Sequence, residues 1–378
     1  MVELAEVVRR FLPRLLSRMV FKLRPVQEAA LTAITSCRTA AEGGHVYRCT
    51  DPACGREHFA YHSCRHRACP RCHGERTARL LDGWLQRLLP CPHLLLTFTL
   101  PAELRRLASN HPRAVYSVML EAAAATARAF AADPQWLGGL PGMLAVLHTW
   151  SRELLYHPHV HLLLSAGALA PDGVSWLVPS RPGFFAPQRA LAVMFRQKLR
   201  DGLRKVGIHS QAPWPVWRRP FVVHVQAAGS GRQVVAYLAR YVFRSPLARS
   251  ALLAIDDATV SFRVRDARSG ELHIRTIPGE ALLARLLLHV LPRRFVRVRQ
   301  WGLYARTPRH ALALQALSRG PSPSATPNPP LEPPREDVPE PITLAPTAQA
   351  PKPPTLSCPR CGAPLSLVSI LPRHRGPP

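Results

Sequence analysis

Apolar residues recur at two spacings along this chain, one typical of helices and the other typical of strands. The helical spacing predicts helices over 4–23, 26–34, 103–131, 189–206, 232–243 and 280–290. Alternating or continuous apolar runs predict strands over 93–100, 143–150, 159–165, 221–226, 251–255, 259–264 and 272–277. Because strands follow strands without regular helical crossovers, this order predicts an α+β fold around a mostly antiparallel sheet.

Composition divides the chain into four segments. One of them has 13 prolines in the 34 positions from Pro321 to Pro354 and little aliphatic pattern. This composition predicts an extended, disordered linker, because such a stretch cannot pack a core. The predicted boundaries give a helical, cysteine-rich unit at 1–92, a larger mixed unit at 93–318, the linker at 319–357 and a short basic tail at 358–378.

Charge narrows the class of partner. The 378 residues carry 50 Lys and Arg against 23 Asp and Glu, a formal net charge of +27. This surplus is typical of proteins that bind nucleic acid; the alternative is a basic protein from an arginine-rich proteome. No apolar run approaches the roughly 18 residues of a bilayer span, and the N-terminus lacks a signal-peptide pattern. We therefore expect a cytoplasmic, nucleoid-associated protein without a membrane partner or a small-molecule substrate.

Five of the nine cysteines fall between Cys49 and Cys72. An odd number in close pairs indicates metal ligation in a reducing compartment rather than a disulfide framework. Four thiolates suit Zn²⁺, and the simplest structural site uses Cys49, Cys54, Cys69 and Cys72. The alternatives are a group of inert buried thiols or a different ligand set that includes Cys64, His45, His58, His66 or His73.

Two further features accompany this cysteine cluster. Arg65, Arg67 and Arg71 are interleaved with the cysteines, which predicts contacts with DNA phosphates. Near the C-terminus, Cys358 and Cys361 form half of a second zinc ribbon, and no partner pair follows them. This second site is therefore expected to be incomplete, intermolecular or absent.

A histidine pair follows Pro158 in a predicted strand. Strand side chains alternate between faces, so His159 and His161 are expected to project to the same side. Two imidazoles in this arrangement can share one divalent ion if a third ligand completes the site. The alternative is that the histidines only occupy a half-exposed strand.

A tyrosine pair occurs in a predicted helix downstream. Tyr237 and Tyr241 lie one turn apart on one face, in a polar stripe that begins at Gln233. Arg240 and Arg244 flank this stripe and are expected to contact DNA. Apolar positions, including Val234, Val235, Leu238 and Val242, populate the opposite, core-directed side. The alternative is a pair of amphipathic tyrosines that cover the edge of a core.

Taken together, these motifs resemble the two-tyrosine HUH transposases of rolling-circle insertion sequences, of the insertion-sequence-91 type. The resemblance covers most of residues 24–305, and the order and spacing of its motifs are specific. The motifs that carry it are Arg38-Thr-Ala-Ala-Glu-Gly-Gly-His45, Cys64-Arg-His-Arg-Ala-Cys69-Pro-Arg-Cys72, Leu96-Thr-Phe-Thr-Leu-Pro101, Val146-Leu-His-Thr-Trp150, His157-Pro-His-Val-His161, Tyr237-Leu-Ala-Arg-Tyr241 and His289-Val-Leu-Pro292. Arg294 departs from the family, because a glycine is frequent at that position.

The resemblance implies an HUH endonuclease core, preceded by a zinc-binding domain, that nicks and rejoins single DNA strands. It implies that Tyr237 and Tyr241 form 5′-phosphotyrosine intermediates, assisted by Mg²⁺ or Mn²⁺ bound to His159 and His161. The third metal ligand stays open; Gln233 and His148 rank above His157. The expected partner is single-stranded DNA at the ends of the mobile element, while the oligomeric state, the target sequence and the order in which the tyrosines act are not predicted.

A second DNA-contacting surface is expected in the strand-like run 293–301, where arginines alternate with apolar residues and include Arg297 and Arg299. Its alternative interpretation is a solvated edge strand. Three other functions remain open for the whole chain. They are a rolling-circle replication initiator, a non-enzymatic zinc-containing DNA-binding regulator, and a nuclease that hydrolyses phosphodiesters with water.

Overall fold

The computed structural model describes residues 2–18, 22–72, 82–151, 153–179, 183–236, 246–265, 271–323 and 356–373. The helices are α1 (Leu4–Arg18), α2 (Pro25–Ser36), α3 (Arg105–Asn110), α4 (Pro112–Ala132), α5 (Gln188–Lys205), α6 (Gly279–Leu288) and α7 (Arg309–Arg319). Short 3-10 helices lie at Ala40–Glu42, Ala102–Leu104, His209–Gln211, Trp214–Arg218 and Arg249–Ala251. Residues 82–85 and 232–236 are also helical, up to the edges of the described ranges.

The strands form three sheets. They are β1 (Gly44–Cys49), β2 (Glu57–Tyr61), β3 (His93–Thr99), β4 (Leu140–Trp150), β5 (Tyr156–Leu169), β6 (Trp176–Val178), β7 (Val222–Ala227), β8 (Leu252–Ile255), β9 (Thr259–Arg265), β10 (Leu272–Pro278), β11 (Val298–Gly302), β12 (Pro321–Pro323) and β13 (Leu365–Leu371). The main sheet has the order β11-β4-β5-β3-β7, with β6 beside β5 and β12 beside β6. The pairings in its main path are antiparallel, which confirms the predicted α+β class.

One face of the main sheet is covered by α4 and α5. Inward residues of β3, β4 and β5, such as Leu96, Ala145 and Leu162, form a single buried cluster with these helices. The buried side of α4 is rich in alanine, so the helix can approach its neighbours closely. Gly202 of α5 lies where an added Cβ would come within 2.5 Å of Val118, because the two helices touch at this point.

The opposite face of the main sheet carries a second buried cluster. It contains Leu144 and Val146 of β4, Leu163 of β5 and Val235 from the helical stretch 232–236. Because side chains alternate along a strand, His148, His159 and His161 belong to this same face. The helix that leads towards the predicted tyrosine pair therefore begins on the histidine-bearing face of the sheet.

A third cluster joins the N-terminal helices to a late part of the chain. Phe11 of α1 packs against Gly279 at the start of α6, where an added Cβ would lie 2.3 Å from the Phe11 ring. Cys37, Cys69 and residues of β8 and β9 belong to the same cluster. Residues from the predicted segments 1–92 and 93–318 thus share a hydrophobic core.

Most predicted elements coincide with observed ones, and two differ for local reasons. The single helix predicted over 103–131 is interrupted between α3 and α4, because Pro112 begins the second helix. The strand-like run 293–301 becomes β11 only from Val298, since Arg293 and Arg294 lie in a turn. None of the helices in the described part of the chain has the length and hydrophobicity that a membrane span requires.

Candidate functional site

Three histidines meet on one face of the main sheet. His159 and His161 lie on β5, and His148 lies directly opposite His159 on β4. One ring nitrogen from each histidine lies within 4.8 Å of the others, and the ring centroids are 4.6 to 5.2 Å apart. Opposed residues on antiparallel strands project to the same side of the sheet. The register of β4 against β5 therefore adds His148 to the pair predicted from strand alternation.

Neighbouring groups orient two of the three rings. The Nδ1–H of His159 donates a hydrogen bond of 2.7 Å to the carbonyl oxygen of His157. The Nδ1 of His161 forms a hydrogen bond of 3.0 Å with the hydroxyl of Thr97 on β3. Both rings are left with Nε2 as the nitrogen for a ligand, which is the arrangement usual for metal-binding histidines.

Burial keeps these imidazoles neutral. It lowers the pKa of His159 to about 4, although the hydrogen bond to the His157 carbonyl acts in the opposite direction. Burial also lowers the pKa of His148 and His161 well below the usual range, and the neighbouring histidines add to this effect. A histidine must be neutral to bind a metal ion, so the group is ready to act as a ligand set at neutral pH.

Three neutral imidazoles make a nitrogen donor set, and this group contains no carboxylate among the described residues. Such a set fits a divalent transition ion better than Mg²⁺, which prefers oxygen ligands. Arg297 is buried close enough to His148 to lower its pKa further, and its guanidinium lies 5.9 Å from the centre of the Trp150 ring. A fixed positive charge beside the group favours an anionic substrate.

The other residues proposed for the catalytic site lie at the edge of the described chain or beyond it. Gln233 is exposed in the helical stretch 232–236, whereas Val235 is buried, in agreement with the polar and apolar sides predicted for this helix. The three histidines bring one ring nitrogen each within 4.8 Å of the others, and Gln233 stays a predicted further ligand. Tyr237, Tyr241, Arg240 and Arg244 lie outside the described residues.

Four cysteines form a first group next to α2. Cys37, Cys64, Cys69 and Cys72 bring their sulfur atoms within 4.8 Å of one another. The Sγ atom of Cys72 lies 3.2 Å from that of Cys37, 3.4 Å from that of Cys64 and 3.7 Å from that of Cys69. Sequence reasoning assigned no role to Cys37, which follows directly on α2. The only signal for Cys37 in the sequence was that it stayed unassigned in a chain where several other cysteines form pairs with metal-ligand spacing.

The remaining cysteines of the N-terminal cluster belong to a second group. Cys49 and Cys54 meet Cys358 and Cys361 from the C-terminal segment. This corrects the prediction of one site formed by Cys49, Cys54, Cys69 and Cys72, because the structure divides those four between two groups. It also corrects the expectation for Cys358 and Cys361, whose partner pair precedes them in the same chain.

Four of the arginines predicted to contact DNA have contacts inside the protein. Arg67 donates to the carbonyls of Phe295 and Pro292, and Arg71 donates to the Cys37 carbonyl and pairs with Glu3. Arg299 pairs with Glu121 of α4 at 2.8 Å. Arg297 is buried. Among the predicted set that the structure describes, Arg65 is the exposed member.

Comparisons with known proteins agree with these two kinds of site. A family model described as "Transposase zinc-binding domain" matches residues 7–100, which include all of the first cysteine group. A second model, described as "Putative transposase", matches residues 142–311 and spans the three histidines and both tyrosines. The chain is 35% identical over 320 residues to "Putative transposase y4qJ" of Sinorhizobium fredii, covering 79% of each chain.

The chain belongs to the insertion-sequence-91 transposase family. It is also 28% identical over 327 residues to "Transposase for insertion sequence element IS801" of Pseudomonas savastanoi pv. phaseolicola, covering 80% of this chain and 77% of the relative. No solved structure gives a significant match. As a member of this family the transposase is an enzyme that binds DNA, and its cysteine clusters and zinc-binding domain support structural zinc.

Proposed function

We propose that this transposase has an HUH endonuclease core that cuts and rejoins single DNA strands through covalent tyrosine–phosphate intermediates. The observation that carries the proposal is the group of His148, His159 and His161, which lies on the face of the sheet where the helix towards Tyr237 begins. A divalent ion held by these histidines would polarise the oxygens of the scissile phosphate. The net charge of +27 favours a polyanionic substrate.

The proposed chemistry conserves the phosphodiester. The deprotonated hydroxyl oxygen of Tyr237 or Tyr241 attacks phosphorus, and the bond between phosphorus and the 3′ oxygen breaks. The 3′ oxygen takes up a proton, which leaves a free 3′-hydroxyl and a 5′-phosphotyrosine. Attack by a 3′-hydroxyl on that phosphotyrosine reverses the step, so rejoining requires no external energy source. Two tyrosines allow one to hold a strand end while the other attacks a second phosphate.

Tyrosine itself has a pKa near 10, so its phenolate needs stabilisation at neutral pH. We propose that positive charge near the histidine group contributes to it. Arg297 is buried beside His148, and burial lowers the pKa of Arg297 to about 9. The guanidinium therefore stays charged at neutral pH and can attract both the phosphodiester and the phenolate.

Formation of a covalent adduct tests the proposal. The full-length transposase is incubated with Mn²⁺ and labelled single strands that carry the element ends, and adducts that survive denaturation and phenol extraction are quantified. The wild type is expected to form them, and the Y237F/Y241F double variant is expected to form none. Tyr61→Phe, in the zinc-binding domain, serves as the matched control and is expected to retain the wild-type yield.

Other outcomes would identify a different function. Cleavage without an adduct indicates hydrolysis by water, and equal adduct yields on duplex DNA remove the single-strand preference. If no strand yields an adduct while the protein still binds DNA, the chain acts as a DNA-binding regulator. Activity that depends on a plasmid origin, with none on element ends, indicates a replication initiator.

The nature of the donor set leads to a prediction about the ion. At equal concentrations, Mn²⁺ is expected to support roughly tenfold more adduct than Mg²⁺, because three imidazoles favour a transition ion over Mg²⁺. His159→Asp, which replaces one nitrogen donor with oxygen, is expected to shift the ratio towards Mg²⁺. Initial rates measured at a series of concentrations of each ion check this. A wild type that works equally well with Mg²⁺ would contradict the all-histidine assignment.

A further inference from the structure

Two cysteine loops that lie far apart in the sequence face each other beside β1. The first runs from Cys49 to Cys54, and the second from Cys358 to Cys361. The Sγ atoms of Cys49 and Cys361 are 3.4 Å apart, and those of Cys54 and Cys358 are 3.8 Å apart. A tetrahedral zinc site with Zn–S bonds of about 2.3 Å requires sulfur atoms about 3.8 Å from one another. These two distances, with all four sulfurs within 4.8 Å of one another, are close to that spacing.

In both loops a glycine follows the second cysteine. Gly55 follows the second cysteine of the first loop with φ +50°, and Gly362 follows that of the second loop with φ +78°. Glycine adopts this left-handed conformation without steric cost, so each chain can turn away immediately after its second cysteine. A backbone hydrogen bond of 2.9 Å from the Gly362 N–H to the Cys358 carbonyl closes the second turn.

Polar groups surround the sulfur of Cys358. The backbone N–H groups of Arg360 and Cys361 are directed towards it. The Nε2 of His58 lies 3.3 Å from the same sulfur. Hydrogen bonds to ligand sulfurs are typical outer contacts of a metal site, because they delocalise the charge of the thiolates.

Beyond the cysteines, the C-terminal segment continues as a strand of the sheet with the order β13-β1-β2. β13 pairs antiparallel with β1 from Cys49↔Leu365 to Gly44↔Leu371. This strand buries little apolar surface, because Leu367, Val368 and Ile370 are 53%, 46% and 66% exposed. Hydrophobic burial therefore stabilises the pairing of β13 with β1 only weakly. Binding of a metal ion would provide additional stabilising free energy.

We propose that Cys49, Cys54, Cys358 and Cys361 form a second zinc site that fastens the C-terminal segment to the N-terminal domain. The family model for the zinc-binding domain ends at residue 100 and so contains only half of this site. Cys54 and Cys358 are 304 residues apart in the sequence. The bound ion would hold β13 against β1 and act as a clasp between the C-terminal segment and the N-terminal domain. This role does not depend on the proposed tyrosine chemistry.

The zinc content of the full-length transposase tests this directly. At the two cysteine groups the wild type is expected to hold two zinc ions per chain and the C358S/C361S variant one. Cys91→Ala removes a buried cysteine that belongs to neither group, and this control is expected to keep both ions. The remaining ion in C358S/C361S also reports that the first site is still folded. Equal zinc contents in the wild type and C358S/C361S would overturn the proposal.

A second measurement follows the clasp itself. A protease recognition sequence is inserted between residues 324 and 355, outside the described residues, and the chain is cleaved there after purification. The C-terminal fragment is expected to stay bound to the zinc-loaded protein and to leave on chelation or in C358S/C361S. A fragment that dissociates from the zinc-loaded wild type would overturn the clasp. Adduct formation is not needed for either readout, so a failure of the strand-transfer proposal would leave both results interpretable.

Discussion

Replacing His148 with alanine is expected to lower the rate of adduct formation about 10³-fold at limiting Mn²⁺. His148 supplies one of the three ring nitrogens that lie within 4.8 Å of one another. Its loss leaves two ligands, so the affinity for the ion falls together with the electrostatic help the ion gives. The affinity is measured as free Mn²⁺ by electron paramagnetic resonance, and the adduct yield is measured over the same range of ion concentrations.

Two matched variants distinguish the loss of a metal ligand from a general disruption of the folded protein. Gln233→Ala is expected to bind Mn²⁺ like the wild type, because Gln233 is exposed and the three histidines already supply three ring nitrogens. His157→Ala removes a ring whose Nδ1 lies 2.8 Å from the Arg105 guanidinium, but it keeps the carbonyl that orients His159. Its affinity for Mn²⁺ is expected to change little.

The assignment of the third ligand rests on this comparison. If His148→Ala keeps its affinity for Mn²⁺ while Gln233→Ala loses it, the ligand set would be His159, His161 and Gln233. Excess Mn²⁺ should partly restore the yield of His148→Ala, whereas it should not restore the Y237F/Y241F double variant. A defect in His148→Ala that saturating ion leaves unchanged would indicate a structural role for this buried ring.

The histidine pair could be predicted from the sequence because it depends on a local rule. Alternation along one strand places His159 and His161 on one face, and no knowledge of the neighbouring strands is required. The third member depends on register. His148 reaches the group only because β4 pairs with β5 so that His148 faces His159, and a shift of one residue would have moved it to the other face.

The cysteines show the same division between local and long-range information. Spacing identified the close pairs, such as Cys69 with Cys72 and Cys358 with Cys361. It could not show that the pairs combine as they do, since Cys37 reaches the first group from the end of α2 and Cys358 reaches the second across 304 residues. Partners of this kind are set by the fold, and sequence spacing carries no information about them.

Arginines were the least predictable residues, because charge does not reveal what a side chain contacts. The C-terminal part of the run 293–301 pairs with β4 as β11 instead of lining an open groove, so Arg297 and Arg299 are drawn into the protein. Arg294 has a φ of +58°. A left-handed backbone at this position explains why a glycine would be favoured there.

Acid is expected to unfold the transposase between about pH 6.5 and pH 4. This second large effect arises from buried histidines that do not belong to the three-histidine group. Burial lowers the pKa of both His93 and His289 to about 4. His93 bonds to the Tyr304 hydroxyl, and the Nε2–H of His289 donates to the Leu154 carbonyl at 3.1 Å. Both are neutral in the folded protein.

Whether acid stabilises or destabilises the protein depends on which state, folded or unfolded, binds more protons. As the pH falls below about 6.5, these histidines take up protons in the unfolded chain but stay neutral in the folded one, so the free energy of unfolding decreases. Each contributes a loss of about 3 kcal/mol by pH 4, against a total stability of roughly 5–15 kcal/mol. Below about pH 4 the folded protein is protonated too, and these two groups cause no further loss.

Urea denaturation at intervals between pH 7.5 and pH 4.5 measures this dependence, and substitution of one histidine isolates its share. His289→Gln has no titrating ring, so about 3 kcal/mol of the loss should disappear in this variant relative to the wild type. Zinc release in acid affects both proteins alike and cancels in the comparison. His224→Gln, at an exposed position on β7, is expected to keep the wild-type dependence of the free energy of unfolding on pH. If His289→Gln also showed the wild-type pH dependence, protonation of His289 would not oppose the folded state. The unfolding in acid would then have to come from other groups.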